Sequence, residues 1–315
     1  MPAMSFVSKA VSGTAIGVAA ASAWSRFVVD HELPLGDPVP AEEVRSRPLP
    51  RGQVALFAAG AVLDPEPGLH VRSVNAAASA YEMRPLFVHY RGARPIYAID
   101  LPGYGQSDRA QVEHTPESMA AAVSGALDEI GPAHVVALSL GSEFVARAAI
   151  DHPDRVRSLT MISPTGLSSR SSTAEAQWLE SLFSVPIVGR ASFDLLATRT
   201  SIRWFLAKNF TGEPDEGLVE YAYLTAHQPG AEYAPAAFLS GRLFTSDALD
   251  HLYVEVPCPM QVLYDTDPYT DFARLPELVS GARDVAAVRI PGTRGLPHFE
   301  QLDAVTAALD AFWNS

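Results

Sequence analysis

The stretch Val135-Val136-Ala137-Leu138-Ser139-Leu140-Gly141-Ser142-Glu143 constrains the fold of this chain more than any other. An apolar run stops at a serine and resumes as an Ala-rich pattern of helical spacing, which predicts a strand, a sharp turn and a helix. Ala137 and Gly141 flank the serine at two residues on either side, as needed where a strand reverses into a helix with little room for side chains. Such a turn lifts the Ser139 hydroxyl from the carboxyl edge of a sheet. The amides that follow it, free at a helix N-terminus, can hold developing negative charge. A helix-capping serine has the same local pattern, so the rest of the chain decides between the two.

Short apolar runs at 51–59, 69–73, 95–100, 156–163, 260–264 and 285–291 read as further strands. Helical patterns at 76–89, 115–130, 144–150 and 304–313 separate them. This alternation predicts an α/β fold with a mostly parallel, doubly wound sheet whose functional loops lie at the strands' carboxyl ends. Residues 1–50 are expected to form an N-terminal helix and a Pro-rich extended arm, with an entry hairpin beginning at residue 51. Between 167 and 250 the pattern turns helical and aromatic, with helices expected at 174–183, 192–210 and 216–227. That insertion suits a helical cap over a pocket, leaving 51–166 and 251–315 as the core.

Composition excludes some functions. The formal charge of −13 repels nucleic acid and anionic surfaces, so no nucleic-acid partner is expected. Cys258, the only cysteine, permits neither an intrachain disulfide nor a multi-cysteine metal site, and it reads as a small buried apolar residue. Residues 10–24 are apolar but interrupted by Ser12, Gly13, Thr14 and Gly17. They suit a packed helix or a contact with a membrane surface somewhat better than a cleaved signal. The expected location is cytoplasmic, with export or membrane association through 10–24 as the alternative.

In chain order the chemistry-bearing residues run serine, aspartate after a later strand, histidine after the last strand. With Asp100-Leu101-Pro102-Gly103-Tyr104-Gly105-Gln106-Ser107 and the Ala137-x-Ser139-x-Gly141 turn, residues 51–313 resemble the α/β-hydrolase fold, nearest its capped esterase, haloperoxidase-like and epoxide-hydrolase-like members. The resemblance implies a carboxylesterase-like enzyme that cleaves an ester or related acyl bond of a small or medium apolar substrate through an acyl-enzyme intermediate on Ser139, with no metal or organic cofactor. Ser139 would attack, His298 would serve as base and then acid, and Asp267, rather than Asp265 or Asp271, would orient the histidine. Haloalkane dehalogenases and epoxide hydrolases use a carboxylate at the elbow, and this chain offers none.

Two departures from the family pattern stand out. Members often read G-H-x-P-H-x-E, whereas this chain reads Gly295-Leu296-Pro297-His298-Phe299-Glu300. Aligned on Pro-His-x-Glu, Gly295 takes the catalytic place and His298 is structural; aligned on the available histidine, His298 is catalytic. The family's His-Gly after the early central strand is replaced by Arg72-Ser73-Val74-Asn75. Val74 and Leu140 are the expected oxyanion donors, Asn75 is either a substrate-binding amide or a turn residue, and Arg72 either pairs with a carboxylate or points outward. The alternative functions are haloperoxidase-like, C–C bond hydrolase or acyltransferase chemistry on the same fold, or non-catalytic ligand binding.

Overall fold

A computed structural model describes residues 20–50, 52–60, 66–169 and 186–314. The expected helix over 174–183 and the apolar segment before residue 20 lie outside them. Eight strands form one sheet in the order β1-β2-β4-β3-β5-β6-β7-β8. They are β1 (Glu43–Leu49), β2 (Gly52–Ala59), β3 (Gly68–Val71), β4 (Ile96–Ile99), β5 (Ala133–Leu138), β6 (Val156–Ile162), β7 (Met260–Tyr264) and β8 (Val285–Arg289). The β1–β2 and β2–β4 pairs are antiparallel. From β4 to β8 all pairs are parallel.

The entry hairpin is therefore β1–β2, and the Pro-rich arm ends in an edge strand. Pro48 is tolerated there because an edge strand need not donate on both sides. Strand β3 lies between β4 and β5, so the chain leaves it first toward one side of the sheet and later starts again on the other. The crevice at such a reversal, outside the strands' carboxyl ends, is where ligands of open α/β sheets bind. The loop after β3 and the Ser139 turn after β5 border it.

Helices cover both faces. Pro116–Ile130 begins with a capping box in which Thr115 and Ser118 satisfy each other's amides, and Gly141–Asp151 follows Ser139 directly. The expected helix over 76–89 is shorter, with a 3₁₀ turn at Ala80–Met83 leading into Arg84–Tyr90. Asn75 Oδ1 accepts from the Ala77 amide at 2.8 Å and bends the chain before it.

Between β6 and β7 the described chain is helical, with Pro186–Leu196, Arg199–Ala207, Glu216–Ala226 and Tyr233–Leu239. The single helix expected at 192–210 is divided because Thr198, extended at φ −70° and ψ 149°, caps the second part through the Ser201 amide. Buried Asp194 binds Ser25 Oγ at 2.5 Å and His31 Nε2 at 2.9 Å, tying the N-terminal segment to this helical insertion. Among the described residues no helix is long and apolar enough to cross a membrane.

Candidate functional site

Ser139 has φ 51°, a left-handed backbone that a serine adopts only at a cost. Its amide is anchored to the Ile162 carbonyl of β6 at 2.8 Å, and its carbonyl accepts from Ser142 at 3.0 Å. The side chain is half-buried, and no described group hydrogen-bonds its Oγ. Gly141 is obligatory, because a Cβ there would run into the backbone oxygen of Arg72. The helix start and the loop after β3 are thus in backbone contact. The Val74 and Leu140 amides flank that contact, and no described group accepts a hydrogen bond from either. Glu143 faces away from them, with Oε1 on Thr165 Oγ1 and Oε2 on the Thr245 amide at 2.8 Å.

Asn75 is a turn residue. Its Nδ2 donates to Glu82 Oε1 at 2.6 Å and to Ser73 Oγ at 3.2 Å while its Oδ1 holds Ala77, so neither end of the amide is open to a ligand. Arg72 points inward and is fully buried, with Nε 3.6 Å from Asp100 Oδ1. Asp100 also accepts from the Ala80 and Gln106 amides, at 2.7 and 2.9 Å. The loop that follows Asp100 is structural: Ser107 Oγ joins the Asp100 carbonyl to the Ala55 amide.

Geometry separates the three aspartates after β7. Asp265 binds Arg289 Nε at 2.6 Å and the Gly292 amide at 2.8 Å, which braces the loop after β8. Asp271 is occupied by Ser169, through its amide at 3.1 Å and its hydroxyl at 2.8 Å. Asp267 uses only Oδ1, on the Tyr269 and Thr270 amides at 2.7 and 2.9 Å. Its Oδ2 faces Gly295: a Cβ built on Gly295 would stand 2.9 Å from Asp267 Oδ2 and 2.7 Å from Asn209 Oδ1. Burial holds the Asp267 carboxyl above its ordinary range, against the pull of the two amides.

The structure does not join His298 to Ser139 or Asp267 by a hydrogen bond. The ring is fully buried, Nε2 meets the Glu82 carbonyl at 2.6 Å, and Nδ1 has no hydrogen-bond partner. The loop thus places Gly295 beside Asp267 and His298 in the interior. Sequence reasoning missed Glu82 and Asn209. Glu82 looked like one more residue of an Ala-rich helix, and Asn209, just after the helix Arg199–Ala207, carries no local signal of its contact with the core.

His70 is fully buried as well, and neither of its ring nitrogens has a hydrogen-bond partner. Burial lowers His298 to about 4 and His70 to about 3. Below pH 6.5 the unfolded chain gains protons that the folded chain does not, so stability is lost as pH falls toward these values. His70→Met is expected to remove about 1.4 kcal/mol of that loss per pH unit below pH 6. Urea unfolding of both proteins at pH 7, 6 and 5 checks this, and equal pH slopes would contradict it.

The sequence profile of the alpha/beta hydrolase family matches residues 55–308. The dihydrolipoyllysine-residue acetyltransferase component of the acetoin cleaving system of Cupriavidus necator is 42% identical over 76 residues, which are 24% of this chain and 20% of that protein. A haloalkane dehalogenase of Agrobacterium fabrum is 33% identical over 88 residues, 27% of this chain and 29% of its own length. The chain thus spans less than a third of either relative. The crystal structure of the enol-lactonase from Burkholderia xenovorans LB400 superposes with a TM-score of 0.69 at 15% identity, covering 86% of this chain and 100% of that one. That likeness is one of fold.

Proposed function

The chain belongs to the alpha/beta hydrolase family, and on that premise we propose that it holds an acyl compound over Ser139 and turns it over slowly, for want of an imidazole beside the acid. The ligand is a small or medium, mostly apolar ester or related acyl compound, with the helices between β6 and β7 as its cap. Its carbonyl oxygen points at the Val74 and Leu140 amides. Ser139 and Asp267 keep the places of nucleophile and acid, and His298 is structural. The observation that carries this reading is Gly295, packed against Asp267 and Asn209, while the only histidine of that loop is committed to Glu82.

Removing the histidine of a serine triad costs about 10⁶ in kcat, and the remaining acceleration of about 10³–10⁴ over water comes from the oxyanion donors and binding. A serine without its base adds nothing to that remainder. Ser139→Ala is therefore expected to turn over p-nitrophenyl butyrate within about threefold of the wild-type rate. A fall of about 10⁴ or more in this variant would reveal a working triad and overturn the reading.

A further inference from the structure

Arg72 has no part in the reading above, yet it is fully buried at the edge of the site. Its Nη1 donates to the Ser73 carbonyl at 2.8 Å, and its guanidinium lies 4.3 Å from the centre of the Tyr104 ring. Ser73 is held from the other side by buried Glu82, whose Oε2 accepts from the Ser73 amide at 3.1 Å and from its hydroxyl at 2.7 Å. Every polar group of Ser73 is thus engaged by a buried charged side chain.

We infer that Arg72 and Glu82 are positioning residues that aim the Val74 amide into the oxyanion site. The inference rests on the reading of Val74 and Leu140 as oxyanion donors. The Ser73 carbonyl and the Val74 N–H belong to one planar trans peptide unit and point in opposite directions. By drawing the carbonyl toward the interior, Arg72 turns the N–H the other way, where no described group accepts from it. The Arg72 backbone oxygen packs on Gly141, so the same residue sets how near this peptide stands to the Ser139 turn. Glu82 in turn receives His298 Nε2 on its carbonyl at 2.6 Å, which makes His298 part of the brace.

Burial disfavours the charged form of Arg72, Glu82 and Asp100, and the opposite charges among them resist that push. Apolar residues of similar shape often replace such buried ionic clusters at little cost in stability. Orientation of the Ser73–Val74 peptide is what an apolar cluster would not supply.

The test uses the full chain with p-nitrophenyl butyrate and compares Arg72→Met and Arg72→Lys, with thermal melts to confirm folding. One oxyanion donor is worth about 10²–10³ in kcat, so Arg72→Met is expected to lower the wild-type kcat by about tenfold or more at unchanged KM. Arg72→Lys, which keeps a donor for the Ser73 carbonyl, is expected to recover most of that loss. Should Arg72→Met not fold, Ser73→Ala removes the hydroxyl's bonds to Glu82 and Asn75 while leaving the backbone unit intact, and is expected to lower kcat by about threefold at unchanged KM. Folded Arg72→Met or Ser73→Ala protein with wild-type kcat would overturn the inference, as would equal impairment by methionine and lysine. Wild-type turnover no faster than the solution reaction would overturn the functional reading and this inference with it.

Discussion

Gly295→His combined with Asn209→Ala is expected to raise ester turnover by at least about 10²-fold over wild type. An imidazole at 295 would stand beside Asp267 Oδ2, which has no donor among the described residues and, as the proposed acid, would fix the ring. Gly295 is not among the glycines with left-handed backbone, so the backbone there accepts a side chain, and the Asp267 carboxylate tip, 2.9 Å from the new Cβ, must turn aside to receive it. Asn209 obstructs it, because its Oδ1 would lie 2.7 Å from the new Cβ, and Gly295→His alone is expected to gain less. The full factor of about 10⁶ is not expected, since a misplacement of 1 Å already costs about 10². Adding Ser139→Ala must erase the gain. No gain in the double variant, or one that survives loss of Ser139, would contradict the placement of the missing base.

Gly141→Ala is expected to damage both stability and the site, because the added methyl meets backbone. The new Cβ would meet the Arg72 backbone oxygen, with the Val71 oxygen 3.4 Å away, and neither can swing aside as a side-chain tip would. Overpacking of this kind costs about 1–3 kcal/mol. Moving the loop after β3 also separates the Val74 amide from the Leu140 amide, so residual ester turnover is expected to fall by about tenfold or more. Gly36→Ala, where nothing lies within 4 Å, serves as the control. Urea unfolding and kcat of the two variants check both parts, and a Gly141→Ala protein as stable and active as the control would contradict the close approach.

The parts of the molecule governed by local rules were legible in the sequence. The switch from a buried strand to helical spacing around Ser139, with small residues on either side, is stated within nine residues. The loop at 100–107 is set by its own Pro, Gly and Ser. Other features depended on contacts made far along the chain. Glu43–Leu49 looked like a linker because Pro48 and its charges mask an edge strand that exists only through pairing with β2. Glu82 turns inward because Ser73 and Asn75 meet it there, and Arg72 is buried because Asp100 arrives from another strand. For His298 the local reading left two alignments open. The ring's partner in the structure is the Glu82 carbonyl, 216 residues away in sequence, which no local pattern announces.

The role of His298 can be measured most directly by its glutamine variant, which keeps an N–H donor for the Glu82 carbonyl and removes any general base. The steady-state kcat of His298→Gln on p-nitrophenyl butyrate is predicted to stay within about threefold of wild type, as it does for Ser139→Ala. A loss of about 10³ or more in both variants, with folding intact, would make His298 the base and contradict this account.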